Sequence, residues 1–209
     1  MRAFLSILLL SSILLVSATA LSQEQNKNPV FKVGGIYGLT GPLADFGEEF
    51  RRGAELYAKT RNPSQRKFEL IVEDGRFDSM TALSAFRKLA DQDRVQAVHV
   101  QGSGPNLAIK PLSESRGIIL LSSAAHPDIL PGSSLIIRHG NLTSEDARGL
   151  ADYISSDLPK ASRLASIYIQ NDWGESFQQA FNAALGNSPH PLKSAVETHL
   201  PSDTDFRSL

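Results

Sequence analysis

The 209-residue chain contains no cysteine, which excludes a disulfide framework, cysteine-ligated zinc, thiol catalysis and lipid attachment to a cysteine. It also lacks an excess of either charge, because 21 basic side chains face 22 acidic ones. A net charge of −1 gives no general electrostatic case for binding a nucleic-acid backbone or an anionic bilayer, so no nucleic-acid partner is expected. There is no basic run, no low-complexity tract and no internal repeat of the kind that builds solenoids. One apolar run stands out, Ala3 to Val16, and it is short for a bilayer-spanning helix.

With 41% hydrophobic residues, the composition is that of a soluble globular protein and too apolar for disorder. Met1-Arg2 places a positive charge ahead of the apolar run, and Ser17-Ala18-Thr19-Ala20 supplies the small residues of an A-x-A cleavage site. Residues 1–20 therefore read as a secretory signal cut after Ala20, with an uncleaved anchor as the alternative. Residues 21–29 read as a polar tether.

From Val30 onward, short apolar runs alternate with amphipathic stretches, and turn or cap residues stand at each junction. This is the pattern of successive β-α units, and it predicts an α/β fold with parallel sheets flanked by helices. Strands are expected at Phe31–Tyr37, Phe68–Val72, Val95–Val100, Gly117–Leu121, Leu135–Arg138, Leu164–Ile169 and Ala195–Leu200. The helix after the first strand is expected over about Gly47–Thr60, with Phe50, Ala54, Tyr57 and Ala58 on its buried face. Asp78 or Ser79 can cap the next helix, Pro105 sits near the start of a third that runs to about Ser113, and Thr143 or Ser144 can cap a fourth.

Ligands of an open parallel sheet collect beyond the carboxyl ends of its strands. Here those ends supply Thr40-Gly41-Pro42, Gln101-Gly102-Ser103-Gly104 and Ser122-Ser123-Ala124-Ala125, which offer hydroxyls, one amide and backbone N–H groups. The unsatisfied N–H groups of the helix after Gly104 are a seat for a carboxylate; the plainer reading of Gly102 and Gly104 is a tight turn. No P-loop, G-x-G-x-x-G or G-x-S-x-G motif occurs. The five histidines fall at no metal-ligand spacing; His126 alone is expected near the cleft, and His99 reads as a packed strand residue. Glu73, Asp74 and Asp78 form a conceivable acid-base set but fit a loop and helix cap better, and Asn141-Leu142-Thr143 is a glycosylation sequon that a helix cap also explains.

Several segments in order carry a resemblance: Val33-Gly34-Gly35-Ile36, Leu39-Thr40-Gly41-Pro42 with Phe46-Gly47, Gly53-Ala54-Glu55-Leu56 and Leu70-Ile71-Val72-Glu73-Asp74. Val95-Gln96-Ala97-Val98 with Gly102-Ser103, Gly117-Ile118-Ile119, Ser123-Ala124-Ala125-His126-Pro127, Ile137-Arg138, Asp172-Trp173-Gly174-Glu175 and Asp205-Phe206 continue it. Together they resemble the periplasmic type I solute-binding proteins of the leucine/isoleucine/valine-binding family, the receptor components of ABC importers. The resemblance implies two α/β lobes that close on a ligand, 30–138 as the first and 139–209 as an incomplete second. It implies a periplasmic or secreted protein without enzymatic activity or cofactor, whose partners are a small amino-acid or amide ligand and an ABC permease. A sensory receptor domain and a non-functional truncated fragment are the alternatives.

Residue by residue, the resemblance implies that Ser103 and Gly104 receive the ligand carboxylate, and that Ser123, Ala124 and Ala125 form the loop holding its ammonium. Ala125 stands where the family has threonine or serine, with Ser123 as a substitute acceptor. Phe46 and Trp173 stand where aromatic residues flank and close over the ligand. The acid expected later in the second lobe has no counterpart, and parts of Ile167, Ile169, Phe177, Phe181 and Val196, which would pack on later strands and helices, are expected to be uncovered. Weak or absent binding by the isolated chain and protease cleavage near His139–Ser144 are expected to follow.

Overall fold

The computed structural model describes residues 30–60, 68–158, 163–186, 193–203 and 205–207. The expected signal segment and tether, 1–29, lie outside the described residues. Strands and helices alternate along the chain as β1 (Phe31–Tyr37), α1 (Ala44–Thr60), β2 (Phe68–Asp74), α2 (Ser79–Lys88), β3 (Ala97–Val100), α3 (Ser103–Arg116), β4 (Ile119–Ser122) and β5 (Ile136–Arg138). The second part adds α4 (Thr143–Asp157), β6 (Arg163–Ile169), α5 (Asp172–Gly186) and β7 (Lys193–His199). A π-helical turn, Leu89–Asp93, prolongs α2, and a 3-10 turn, Pro127–Ile129, precedes β5.

All pairings are parallel: β2-β1-β3-β4-β5 form one sheet and β6-β7 a second. Asp78 caps α2, its carboxylate accepting the Thr81 N–H at 2.7 Å. Two helix limits differ from expectation. α1 starts three residues early, at Ala44, because the Ala44 N–H bonds the Gly41 carbonyl at 3.1 Å and closes the first turn. α3 runs on past Pro111, whose ring faces solvent, and ends at Gly117, whose φ of 65° returns its N–H to Glu114 and Ser113. The expected caps of α4 also move: Thr143 becomes its first residue and is fully buried, while Glu145 accepts the Leu142 N–H at 2.7 Å.

Side-chain alternation gives the five-stranded sheet two unlike faces. On one, Ile36, Val98, Val100 and Leu120 interlock with Ala82, Phe86 and Leu89 of α2 and its extension and with Ile109 of α3. On the other, β1, β3, β4 and β5 place Gly35, His99, Leu121 and Ile137 in one register row, and α1 covers only part of it. Phe50 reaches the Tyr37 and His99 rings at 5.9 and 5.5 Å, but Tyr57, expected on the buried face, is 56% exposed. The uncovered remainder is an open apolar trough of about 700 Å³.

In the second part, α4 and α5 bury Ala147, Ala151, Ile154 and Phe181 against each other. The expectation of partly uncovered aromatic residues is corrected for Phe181, which is buried, whereas Phe177, stacked between it and Trp173, stays half-buried. Ile167 and Val196, by contrast, are exposed on β6 and β7.

The two parts share one local device. In Phe46-Gly47-Glu48 and Trp173-Gly174-Glu175, a glycine lies in the first turn of the helix that follows a strand. A Cβ at Gly47 would lie 2.0 Å from the Gly38 carbonyl oxygen, and one at Gly174 would lie 2.0 Å from that of Ile169. Only glycine lets each helix start so close to its strand, and each brings an exposed aromatic residue with it.

Candidate ligand-binding cleft

The carboxyl ends of the strands are tied by side chains rather than left open. Gln101 joins β3 to β1, its backbone N–H reaching Ile36 and its side-chain oxygen accepting the Gly38 N–H at 2.9 Å. Burial pushes the Asp74 carboxyl up, yet the Thr40 hydroxyl and the N–H groups of Arg76 and Leu39 outweigh it and hold the group below the usual carboxylate range. Hydrogen bonds from Thr81 lower the Asp78 carboxyl in the same direction. Glu73 pairs with Lys88. The three acids are therefore engaged as loop, cap and ion-pair groups.

Beyond β2, Arg76 and Phe77 both adopt left-handed backbone, with φ of 52° and 54°. Two consecutive non-glycine residues there cost about 1 to 3 kcal/mol each, and such strain concentrates at ligand sites. It turns the Phe77 ring under Gly102, where a Cβ would lie 2.8 Å from the ring. Gly102, at φ 88°, is a position that only glycine fills without strain.

Between these loops and α5 lies a cavity of about 250 Å³, lined from both sheets: Arg76, Phe77 and Ser79 on one side, Ser103 and Gly104 at the start of α3, Asp172 and Trp173 opposite. Three of the expected site residues, Ser103, Gly104 and Trp173, meet there. Phe46 does not line it and is 65% exposed. Ser123, Ala124 and Ala125 stand behind it as a buttress. Ser123 Oγ accepts the Gly102 N–H at 3.0 Å, Ala124 is buried, and the Ala125 N–H donates to Ser103 Oγ at 3.2 Å.

The Ala125 carbonyl accepts the Thr143 N–H at 2.9 Å, and the Thr143 hydroxyl in turn lies 3.0 Å from Ser176, which donates to the Trp173 carbonyl. A hydrogen-bonded line thus runs from the loop after β4 to the turn that carries Trp173. His126 caps the 3-10 turn through Nδ1 and does not line the cavity. His99 is tied to two side chains, with Tyr37 Oη 3.0 Å from Nδ1 and His139 Nε2 2.8 Å from Nε2. Burial, aided by His139, pushes its pKa down to about 4, and burial pushes the Tyr37 phenol up to about 12. This pair lines the trough, not the cleft.

Residue reading missed Arg76, Phe77, Ser79 and Asp172 as lining residues. The turn Gly75-Arg76-Phe77-Asp78 after a strand carried a positional signal for the first two, but nothing local announces that Asp172 meets Gly104. Among the described residues, no group of three metal-ligating side chains occurs and no helix is long and apolar enough to cross a membrane.

The family model described as periplasmic binding protein matches residues 30–209. The Leu/Ile/Val-binding protein homolog 3 of Brucella melitensis is 24% identical over 183 residues, covering 85% of this chain and 49% of its own. The Streptococcus pneumoniae LivJ structure, solved with isoleucine, superposes with a TM-score of 0.76 at 22% identity, over 86% of this chain and 52% of its own. A Rhodopseudomonas palustris solute-binding protein solved with benzoate gives a TM-score of 0.76 at 19% identity, over 86% and 51%. The chain spans about half the length of the curated relatives it matches. Its α/β architecture of parallel sheets flanked by helices is the type I one of those structures, and the chain belongs to the periplasmic binding protein family.

Proposed function

We propose that this chain contributes the ligand-binding cleft of an extracytoplasmic solute-binding protein that delivers a small polar molecule, of the amino-acid or amide class, to an ABC permease. Residues 30–138 are one wall of the cleft and 139–209 begin the other. The observation that carries this reading is a cavity at strand ends, lined from two sheets by Ser103, Gly104 and Trp173. Polar groups set in a largely apolar concavity suit recognition. Asp74 and Asp78 are engaged in a turn and a helix cap, which supports binding over turnover, and the relatives' ligands are small acids and amino acids.

Thermal-shift and calorimetric titration of the 209-residue chain against branched-chain amino acids, short amides, urea and aromatic acids tests it. One class is expected to raise the melting temperature and release heat without being consumed, and Ser103→Ala is expected to weaken that binding by about 1 to 3 kcal/mol. Silence across the panel, or turnover of an amide or ester that Ser103→Ala abolishes, overturns the reading.

A further inference from the structure

Asn106 lies in the first turns of α3 and has no exposed surface, yet its side chain is polar. Both hydrogens of its amide go to backbone carbonyls, Nδ2 donating to Val100 at 2.8 Å and to Gly102 at 2.6 Å. Its Oδ1 is buried and has no hydrogen-bond partner among the described residues. A buried acceptor without a partner costs stability, and an apolar side chain at this position would avoid that cost. What only the amide supplies is a hold on the loop that joins β3 to α3.

That loop is gripped from two sides. The Val100 carbonyl accepts from Asn106 and from the Ser123 N–H at 3.2 Å, and Gly102 donates its own N–H to Ser123 Oγ at 3.0 Å. Ser123 thus holds the peptide before Gly102, and Asn106 holds the peptide after it. A peptide unit is planar and trans, so the Gly102 carbonyl and the Ser103 N–H share one plane and point opposite ways. Drawing that carbonyl onto Nδ2, toward the body of α3, turns the Ser103 N–H toward the open end of the helix, where first-turn N–H groups have no intrahelical partner. Glycines stand on both sides of Ser103, and Gly102 is at φ 88°, so the backbone there is intrinsically free and an external hold decides its angle. Ser103 lines the cavity, and its hydroxyl accepts the Ala125 N–H at 3.2 Å.

We propose that Asn106 is a positioning residue of the cleft, an internal clamp that sets the angle at which Ser103 meets the ligand. It acts through Ser103, since it lies outside the cavity lining. The inference rests on the solute-binding reading and deepens it, because control of the Ser103 end then lies in the core beneath the cleft as well as at its surface.

Asn106→Ala removes both donors. Asn106→Ser keeps one, because a helical serine hydroxyl reaches the carbonyl four residues back, here that of Gly102. Ser113→Ala, at a buried hydrogen-bonding side chain of the same helix outside the cavity lining, is the control. The 209-residue chain and each variant are followed by hydrogen exchange of single amides and by calorimetric titration with isoleucine, benzoate and the wider panel. Asn106→Ala is expected to speed exchange of the Gly102 and Ala125 N–H groups at least tenfold relative to the Leu120 N–H, which bonds the Leu135 carbonyl. It is also expected to weaken the ligand that binds by at least tenfold. Asn106→Ser is expected to recover part of both effects, and Ser113→Ala to show neither. Exchange at Gly102 and Ala125 that stays unchanged, or that rises equally at Leu120 as for a merely structural residue, overturns the proposal. Undiminished affinity in Asn106→Ala does the same, and each of these results leaves the solute-binding reading standing. Silence of every ligand toward the unaltered chain removes that reading and the proposal with it.

Discussion

The two faces of the five-stranded sheet come from the same strands yet differ in what they rest on. One is sealed by α2 and α3 around Phe86, Leu89, Val98 and Leu120, all without exposed surface. The other carries comparably apolar residues, Leu70, Leu121 and Ile137, beside a Tyr37-His99-His139 polar line, and stays open as the 700 Å³ trough. Strand composition alone does not separate a sealed face from an open one. The covering helices do, and so the energetic weight of a residue depends on its side of the sheet.

The sharpest break in this comparison is Phe86→Ala. Truncating a fully buried aromatic that touches both α2 and the sheet is expected to cost about 3 to 5 kcal/mol by chemical denaturation. A cost under 1 kcal/mol would mean that the sealed face is not the main core.

Acid sharpens the comparison from the open side. His99 is neutral in the fold down to about pH 4, whereas in the unfolded chain it protonates near 6.5. The unfolded state therefore takes up a proton first as pH falls. This contribution is complete above pH 6.5 and is lost between 6.5 and 4, by about 3 kcal/mol. Denaturation at several pH values checks this, and His99→Gln is expected to flatten the slope in that window.

Tyr37→Phe removes the hydroxyl partner of His99 and is expected to cost about 1 kcal/mol with the fold retained. Ile137→Ala, on a side chain 59% exposed at the trough, is expected to change stability by less than about 0.5 kcal/mol. A loss of 2 kcal/mol or more at Ile137 would show that the trough is covered in solution, and the contrast between the faces would fall.

The order of elements was legible because hydrophobic period and turn residues are local. Phe31–Tyr37 is a strand as expected, and Asp78 caps its helix by the Asp-to-N–H chemistry that its position suggests. Boundaries moved where a tertiary or cap contact outbid the local signal, as at Ala44 and Pro111. Ser103 and Gly104 were expected from strand-end position and Trp173 from the resemblance, and the structure gathers the three at one cavity. Ser123 to Ala125 were expected to touch ligand, yet their polar groups hold Gly102, Ser103 and Thr143, contacts that span between 18 and 22 positions.

By itself the sequence determined an α/β chain of parallel units and the neutral, hydroxyl-rich strand ends, since each follows from residues within a few positions of one another. Only the tertiary structure decided that Tyr57 would stay exposed, that Phe181 would be covered by α4, and that Asp172 would stand against Gly104. Those outcomes depend on which distant surfaces meet, and no local pattern encodes the partner of a surface before the chain has packed.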